Sequence, residues 1–167
     1  MKTLLIMRHA KSSRKDLDLQ DHDRPLNKRG RHDAPLMGKL LRAQKISLDL
    51  IISSTTMRAK TTANLFATAF KYKGETILER LVYSAMPKEV LNILSKCSNK
   101  YNSILLVGHN PTVEEVIEML TASSGITMAT CALAHLTLTI DSWAEINRKQ
   151  PVTGKLVNLW TPKQSFY

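Results

Sequence analysis

Apolar residues in this chain gather in short runs that stop abruptly at polar ones. Thr3 to Met7 gives way to Arg8 and His9, Leu48 to Ile52 to Ser53, Ser54, Thr55 and Thr56, and Ser103 to Val107 to Gly108, His109, Asn110 and Pro111. Continuous apolar runs of this length beside turn-forming residues fit buried strands. Between them apolar positions recur every three or four residues, the period of a helix with one buried face. Asn27 is placed to cap a helix over Lys28 to Ala43, which would turn Leu36, Leu40 and Ala43 inward with Met37 and Leu41 beside them. Gly30 and Pro35 are weak helix residues near its start.

The same pattern predicts a helix from Thr56 to Phe70 with Ala59, Ala63, Phe66 and Phe70 on one face, and another from Lys88 to Cys97 with Val90, Leu91 and Leu94 inward. Pro111 suits a first helical position, ahead of an apolar face of Val113, Val116, Ile117 and Leu120. Glu75 to Leu78 reads as a short strand and Lys155 to Trp160 as a last, edge strand closed by Pro162. Ala132 to Ile140 alternates, with Ala132, Ala134, Leu136, Leu138 and Ile140 on one side and a structural His135 on the other. Apolar strands alternating with amphipathic helices predict an α/β fold: three α/β/α layers around a mainly parallel central sheet. No repeat or composition break divides the chain, so residues 1–167 read as one domain.

Ala10 to Pro25 breaks the pattern. It is dense in charge, lacks any period, and reads as a loop of the long kind that is usually functional or disordered. The whole chain carries 24 Lys and Arg against 14 Asp and Glu, a net charge of +10, which attracts phosphorylated or otherwise anionic partners without choosing among them. Aromatic residues make up only 5%, too few to interleave with the basic ones as a single-strand nucleic-acid platform would. A polyanion-binding module using Arg24 to Arg31 is the competing reading from outside enzymology; nucleic acid is not the expected partner. Cys97 and Cys131 stand far apart, outside any metal or disulfide pattern, as buried thiols of a reducing compartment do. The apolar start is too short for a signal peptide, and no segment approaches the roughly 20 apolar residues of a membrane helix. A cytoplasmic protein with no membrane partner is expected. Trp143, Trp160 and the segment Asp141 to Gln150 would cover the sheet edge or line a docking surface.

In a parallel sheet the three abrupt strand ends share one rim, where ligands of open α/β sheets bind. That rim would gather Arg8, His9, Arg58 and His109 with two helix N-termini. Arg58 falls in a first helical turn, where the helix end is itself partly positive, so a cation there is best explained by an anion between the two. A planar guanidinium grips phosphate oxygens in pairs, so the rim suits a phosphoryl group. The three motifs hold no carboxylate, and His9, His22, His32 and His109 lack metal-ligand spacing; neither a metal nor a cofactor is expected.

These residues also carry a resemblance. Leu5-Ile6-Met7-Arg8-His9-Ala10, the block from Ser53-Ser54 through Arg58-Ala59 to Thr62-Ala63, and Val107-Gly108-His109-Asn110-Pro111 resemble, in order, three blocks of the histidine phosphatase superfamily, which includes phosphoglycerate mutases and acid phosphatases. Within it the chain is most similar to the SixA-type phosphohistidine phosphatases, sharing the Arg-His-Ala-Lys-Ser opening, the Asp23-Arg24-Pro25-Leu26-Asn27…Gly30 loop and the short chain.

The resemblance implies a phosphoglycerate mutase-like fold and a metal-independent phosphatase. His9 would be the nucleophile, becoming a phosphohistidine that water hydrolyses, with its other ring nitrogen held by a backbone carbonyl. Arg8, Arg58 and a protonated His109 would hold the phosphoryl oxygens. Arg24 would reach the phosphate or the leaving group, or pair with Asp21 or Asp23. Glu79 is the nearest candidate for a general acid, with Asp21, Asp23 and Glu114 as others. An unobvious acid favours a phosphohistidine substrate, because imidazole leaves more readily than an alkoxide. The expected partner is therefore a phosphorylated protein such as a histidine-phosphotransfer domain. The alternatives are a small phosphorylated substrate or a phosphoserine/threonine protein handled by the same mechanism, and a non-catalytic phosphate-binding domain.

Overall fold

The computed structural model describes residues 1–148 and 154–166. Strand β1 (Lys2–Arg8) leads through a long loop, with one 3₁₀ turn at Asp21–Asp23, to helix α1 (Lys28–Ala43). Then come β2 (Leu50–Ser54), α2 (Met57–Phe70), β3 (Glu75–Glu79), α3 (Leu81–Ser84), α4 (Pro87–Ser95), β4 (Ser103–Gly108) and α5 (Thr112–Thr121). The chain continues with β5 (Leu133–Leu138), α6 (Glu145–Arg148), β6 (Gly154–Trp160) and α7 (Pro162–Phe166).

Among the described residues the strands form one sheet in the order β3-β2-β4-β1-β5-β6. The pairs β3·β2, β2·β4 and β4·β1 are parallel, while β5 is antiparallel to both its neighbours. The sheet is therefore mainly parallel, as the alternation of strands and helices predicted. Alternate residues of each strand feed two separate cores. Leu4, Ile6, Ile52, Leu106 and Leu136 pack with Val90, Leu94, Val116, Ile117 and Trp143 on one face. Leu5, Met7, Ile51, Leu105 and Val107 pack with Met37, Leu41, Ala63 and Phe66 on the other. Helices thus lie on both faces of a sheet whose central strands are fully buried.

Local chemistry explains the helix starts. The Asn27 side chain accepts from the Gly30 amide at 2.9 Å, and the Thr56 hydroxyl accepts from Ala59 at 3.3 Å, each satisfying a donor that has no partner within its helix. Several expectations shift. Strand β2 begins at Leu50 rather than Leu48 and takes in Ser53 and Ser54. Pro111 caps α5 from outside instead of opening it. The buried stripe of α1 is Gly30, Ala34, Met37 and Leu41, while Leu36 and Leu40 are half-buried and Ala43 is exposed. The helix is rotated by about one position because Gly38 lets it press on α2, where a Cβ would run into the Phe66 carbonyl. The short helix α3 had no signal in the apolar pattern. His135 stacks on Trp160 at 6.2 Å on the face opposite Leu136, a structural role as expected. Trp143 is fully buried and donates to the Tyr101 carbonyl at 2.7 Å, so it is core and not a docking surface. Residues 149–150 of the segment assigned to edge cover lie outside the described residues.

Candidate active site

Parallel β1, β2 and β4 end side by side at Arg8, Ser54 and Gly108. Arg8 pairs with Gly108 in the β1·β4 register, and the His9 amide donates to the Gly108 carbonyl at 3.0 Å. This brings His9 and His109 together, with ring centroids 5.1 Å apart. The Thr62 hydroxyl ties α2 to the end of β1: it accepts from the Ala10 amide at 3.0 Å and donates to the Arg58 carbonyl at 2.7 Å. Arg58 is thereby fixed beside the histidines.

The tautomer of His9 follows from its neighbours. Its Nδ1 lies 2.7 Å from the Ala10 carbonyl, which can only accept, so Nδ1 carries the proton. Nε2 then presents a lone pair, toward which Arg58 Nε donates at 3.4 Å. Burial lowers the His9 pKa to about 4, with Arg58, Arg8 and Arg24 adding to the effect against the pull of the Ala10 hydrogen bond. Burial, helped by His9 and Arg58, lowers His109 to about 3. Neither ring carries a second proton near pH 7; the protonated His109 that the resemblance implies belongs to the state with a phosphoryl dianion bound. His109 Nε2 lies 2.8 Å from the Ser54 hydroxyl.

Arg8 donates from Nη1 to the Met128 carbonyl at 2.9 Å, while its buried Nε has no partner among the described residues. A buried donor without a partner costs about 1–3 kcal/mol, and an arriving anion would relieve it. Glu114 supports this arrangement: its carboxylate accepts from the Asn110 side chain at 2.6 Å and the Met128 amide at 2.7 Å. Of the two alternatives held for Arg24, the ion pair is the one observed. Arg24 pairs with Asp21 at 2.8 Å and lines the cavity in front of His9.

Asp21 has a larger part than its sequence position announced. Its carboxylate takes Arg58 Nη2 at 3.0 Å, Arg24 Nη1 at 2.8 Å and the Tyr83 hydroxyl at 2.9 Å, and its carbonyl takes Arg58 Nη1 at 2.6 Å. Partial burial pushes its pKa up, but these hydrogen bonds outweigh that and hold it at about 2. Tyr83 also meets the His109 ring edge-on at 5.7 Å. Tyr83 gave no signal in the sequence because it sits on the short α3, 62 residues from Asp21.

Glu79 is not brought to this site. Its carboxylate accepts from the Leu81 amide at 3.0 Å, and it lines a separate cavity with Leu50, Ile52 and Tyr101 behind the sheet edge. It ends the edge strand β3, with β2 and β4 between it and β1. The cavity in front of His9 is about 370 Å³ and is lined by Arg8, Arg24, Arg58 and the basic loop after His9, with no carboxylate on its wall among the described residues. Among the described residues no cluster of metal-ligating side chains occurs.

A cationic cavity at the carboxyl end of a parallel sheet, fronted by a neutral imidazole with one fixed lone pair, defines a phosphoryl-transfer enzyme of α/β architecture. Comparison with known proteins makes this specific. Residues 4–82 match the family model for the histidine phosphatase superfamily, branch 1. An uncharacterised chloroplastic protein of Arabidopsis thaliana is 32% identical over 178 residues, covering 98% of this chain and 79% of its own. An uncharacterised protein of Mycobacterium tuberculosis is 38% identical over 119 residues, covering 71% and 72%. The chain belongs to the histidine phosphatase superfamily, phosphatases that work through a histidine nucleophile. Its fold is that of SixA. A candidate phosphohistidine phosphatase SixA from Agrobacterium tumefaciens superposes with a TM-score of 0.80 at 25% identity, covering 96% of this chain and 98% of that one. The protein histidine phosphatase SixA complexed with tungstate superposes with a TM-score of 0.83 at 21% identity, covering 97% and 98%. Among the described residues no helix is long and apolar enough to cross a membrane.

Proposed function

We propose that the chain, as one domain over residues 1–167, removes a phosphoryl group from a protein histidine in a reducing, cytoplasmic setting. The lone pair of His9 Nε2 attacks phosphorus as the bond from phosphorus to the substrate imidazole breaks, and the substrate ring, protonated from solvent at its other nitrogen, departs as neutral imidazole. Water then attacks the phosphoryl group on His9, releasing inorganic phosphate and restoring the neutral ring. Arg8, Arg58 and His109 hold the phosphoryl oxygens, with Arg24 at the leaving-group side. A bound dianion opposes the burial that keeps His109 neutral, and so returns a proton to it.

The observation that carries the choice of substrate is that no carboxylic acid is poised to give a proton among the described residues. Among the described residues no carboxylate lines the cavity, and Asp21 is held ionised by three hydrogen bonds. An alkoxide needs a proton as it leaves; imidazole, with an ordinary pKa near 6.5, needs far less help. The cavity volume, about 370 Å³, falls within the roughly 300–1,000 Å³ of small-molecule sites, which keeps a phosphomonoesterase of the same mechanism as the second reading.

The test is phosphate release from a phosphohistidine-bearing phosphotransfer protein beside an aryl phosphate, with wild type and His9→Ala, in the presence of a chelator. Fast, His9-dependent, chelator-resistant release from phosphohistidine, with an acid-labile phosphoryl group trapped on His9, is the expected result. Cleavage of the aryl phosphate alone moves the substrate to small esters. Activity that survives His9→Ala removes the reading.

A further inference from the structure

The cavity in front of His9 is larger than its chemistry requires. It holds about 370 Å³, against about 30 Å³ for one water in the liquid, so a phosphoryl group fills only the inner part. The outer part belongs to one stretch of chain, from which Lys11, Arg14 and Lys15 line the wall with Ser12 and Ser13. Deeper in, Arg24 and Arg58 are already held by Asp21. Lys11, Arg14 and Lys15 are exposed, and none of them enters an ion pair among the described residues.

The backbone beneath these cations is fixed. The Asn27 amide donates to the Lys11 carbonyl at 2.9 Å, and the Ser13 amide to the Pro25 carbonyl at 2.8 Å. Ser12 bridges to Leu26, and Gly30 lies so close to Lys11 that a Cβ would collide with the Lys11 carbonyl. Three unneutralised charges are thus presented from a pinned scaffold at the mouth of the site. Just beyond them Leu17 is 90% exposed and Leu19 38% exposed. Exposed leucines beside a cationic wall fit a protein surface, with an apolar contact inside a charged rim, and not a small anion.

We propose, on the phosphohistidine reading above, that Lys11, Arg14 and Lys15 form a docking arm that selects phosphoproteins whose phosphohistidine is flanked by Asp or Glu. The flanking carboxylates lie over residues 11–15 while the phosphoryl group enters at His9, and Leu17 meets an apolar residue of the partner. Complementary charge speeds encounter, and a basic partner meets like charge with no carboxylate on the wall to relieve it. The net charge of +10 acts in the same direction at longer range.

The experiment compares two synthetic phosphohistidine peptides of equal length, one flanked by Asp and Glu and one by Ala and Ser, on wild type and on the triple variant K11A/R14A/K15A. The same two peptides bearing phosphotyrosine run alongside. Wild type is expected to favour the acidic flank by about tenfold in kcat/KM, expressed in KM and weakening in high salt. In the triple variant, all of whose changes are exposed, the preference falls to near one. A wild type indifferent to the flank overturns the proposal, as does a preference that survives in the variant. If wild type turns over no phosphohistidine peptide but favours the acidic phosphotyrosine one, and the variant does not, the phosphohistidine reading fails and the docking arm is supported.

Discussion

Asp21 grips Arg58 at two points, its carboxylate 3.0 Å from Nη2 and its carbonyl 2.6 Å from Nη1, leaving Nε to face the His9 ring. The orientation of the Arg58 guanidinium is thereby set by a residue of the loop between β1 and α1. Asp21→Ala is expected to lower kcat by about 10–100-fold through a misplaced Arg58, with little change in melting temperature because the carboxylate is half exposed. Asp21→Asn keeps an acceptor without the charge and should fall between. Steady-state kinetics with parallel thermal melts checks this, and an unchanged kcat in Asp21→Ala would remove Asp21 from the site.

Glu79 supplies the complementary negative expectation. Its carboxylate is engaged by the Leu81 amide and lines a different cavity, so Glu79→Gln should leave kcat within about threefold of wild type. A large, pH-dependent loss of kcat in Glu79→Gln would return it to the role of proton donor.

Stability should depend on pH through the two buried imidazoles. In the folded protein His9 titrates at about 4 and His109 at about 3, against an ordinary value of 6.5. Between those limits the unfolded chain binds more protons, so stability rises with pH there. Their full contribution, on the order of a few kcal/mol, is present above about pH 6.5 and drains away as pH falls toward 4 and 3. Asp21, lowered from 3.8 to about 2, is lost over a more acidic window in the same direction. Thermal melts from pH 8 to 4 should show the decline, and the double variant His9→Asn, His109→Asn should flatten it. Equal slopes in both proteins would contradict the assignment.

Gly30→Ala tests the anchoring of the loop after His9. The added methyl meets the Lys11 carbonyl, so either α1 or the loop must shift. A loss of about 1–3 kcal/mol is expected, with a raised KM because the cations at the cavity mouth move with Lys11. Denaturant unfolding and KM measured together check it; a variant as stable as wild type would show that the contact yields freely.

Where the apolar pattern was local, it carried the structure. The bounds of α1, the capping role of Asn27, and the inward faces of α4 and α5 follow from spacing alone, and three strand ends were enough to gather Arg8, His9, Arg58 and His109. What escaped depended on contacts between distant residues. The face of α1 was misjudged by one position because Leu36 and Leu40 lie on a stripe next to the buried one, and only the close approach at Gly38 decides between them. Asp21 lies 37 residues from Arg58 and 62 from Tyr83, so its grip has no sequence period to reveal it. Glu79 ends β3 opposite Ser54, and only its side chain's turn to the Leu81 amide, which position along the chain does not reveal, takes its carboxylate to a different cavity.

The pairing of β1 with β4 also governs when the enzyme becomes active during folding. His9 and His109 are separated by 100 positions and meet only once Arg8 stands opposite Gly108. Parallel pairings of such distant segments are closed late, because the entropy of the intervening loop must be overcome before their contacts return anything. Recovery of phosphatase turnover after dilution from denaturant therefore times the closing of the central sheet, and should trail the return of helical signal from α1 and α2, which pack against each other nearby in sequence.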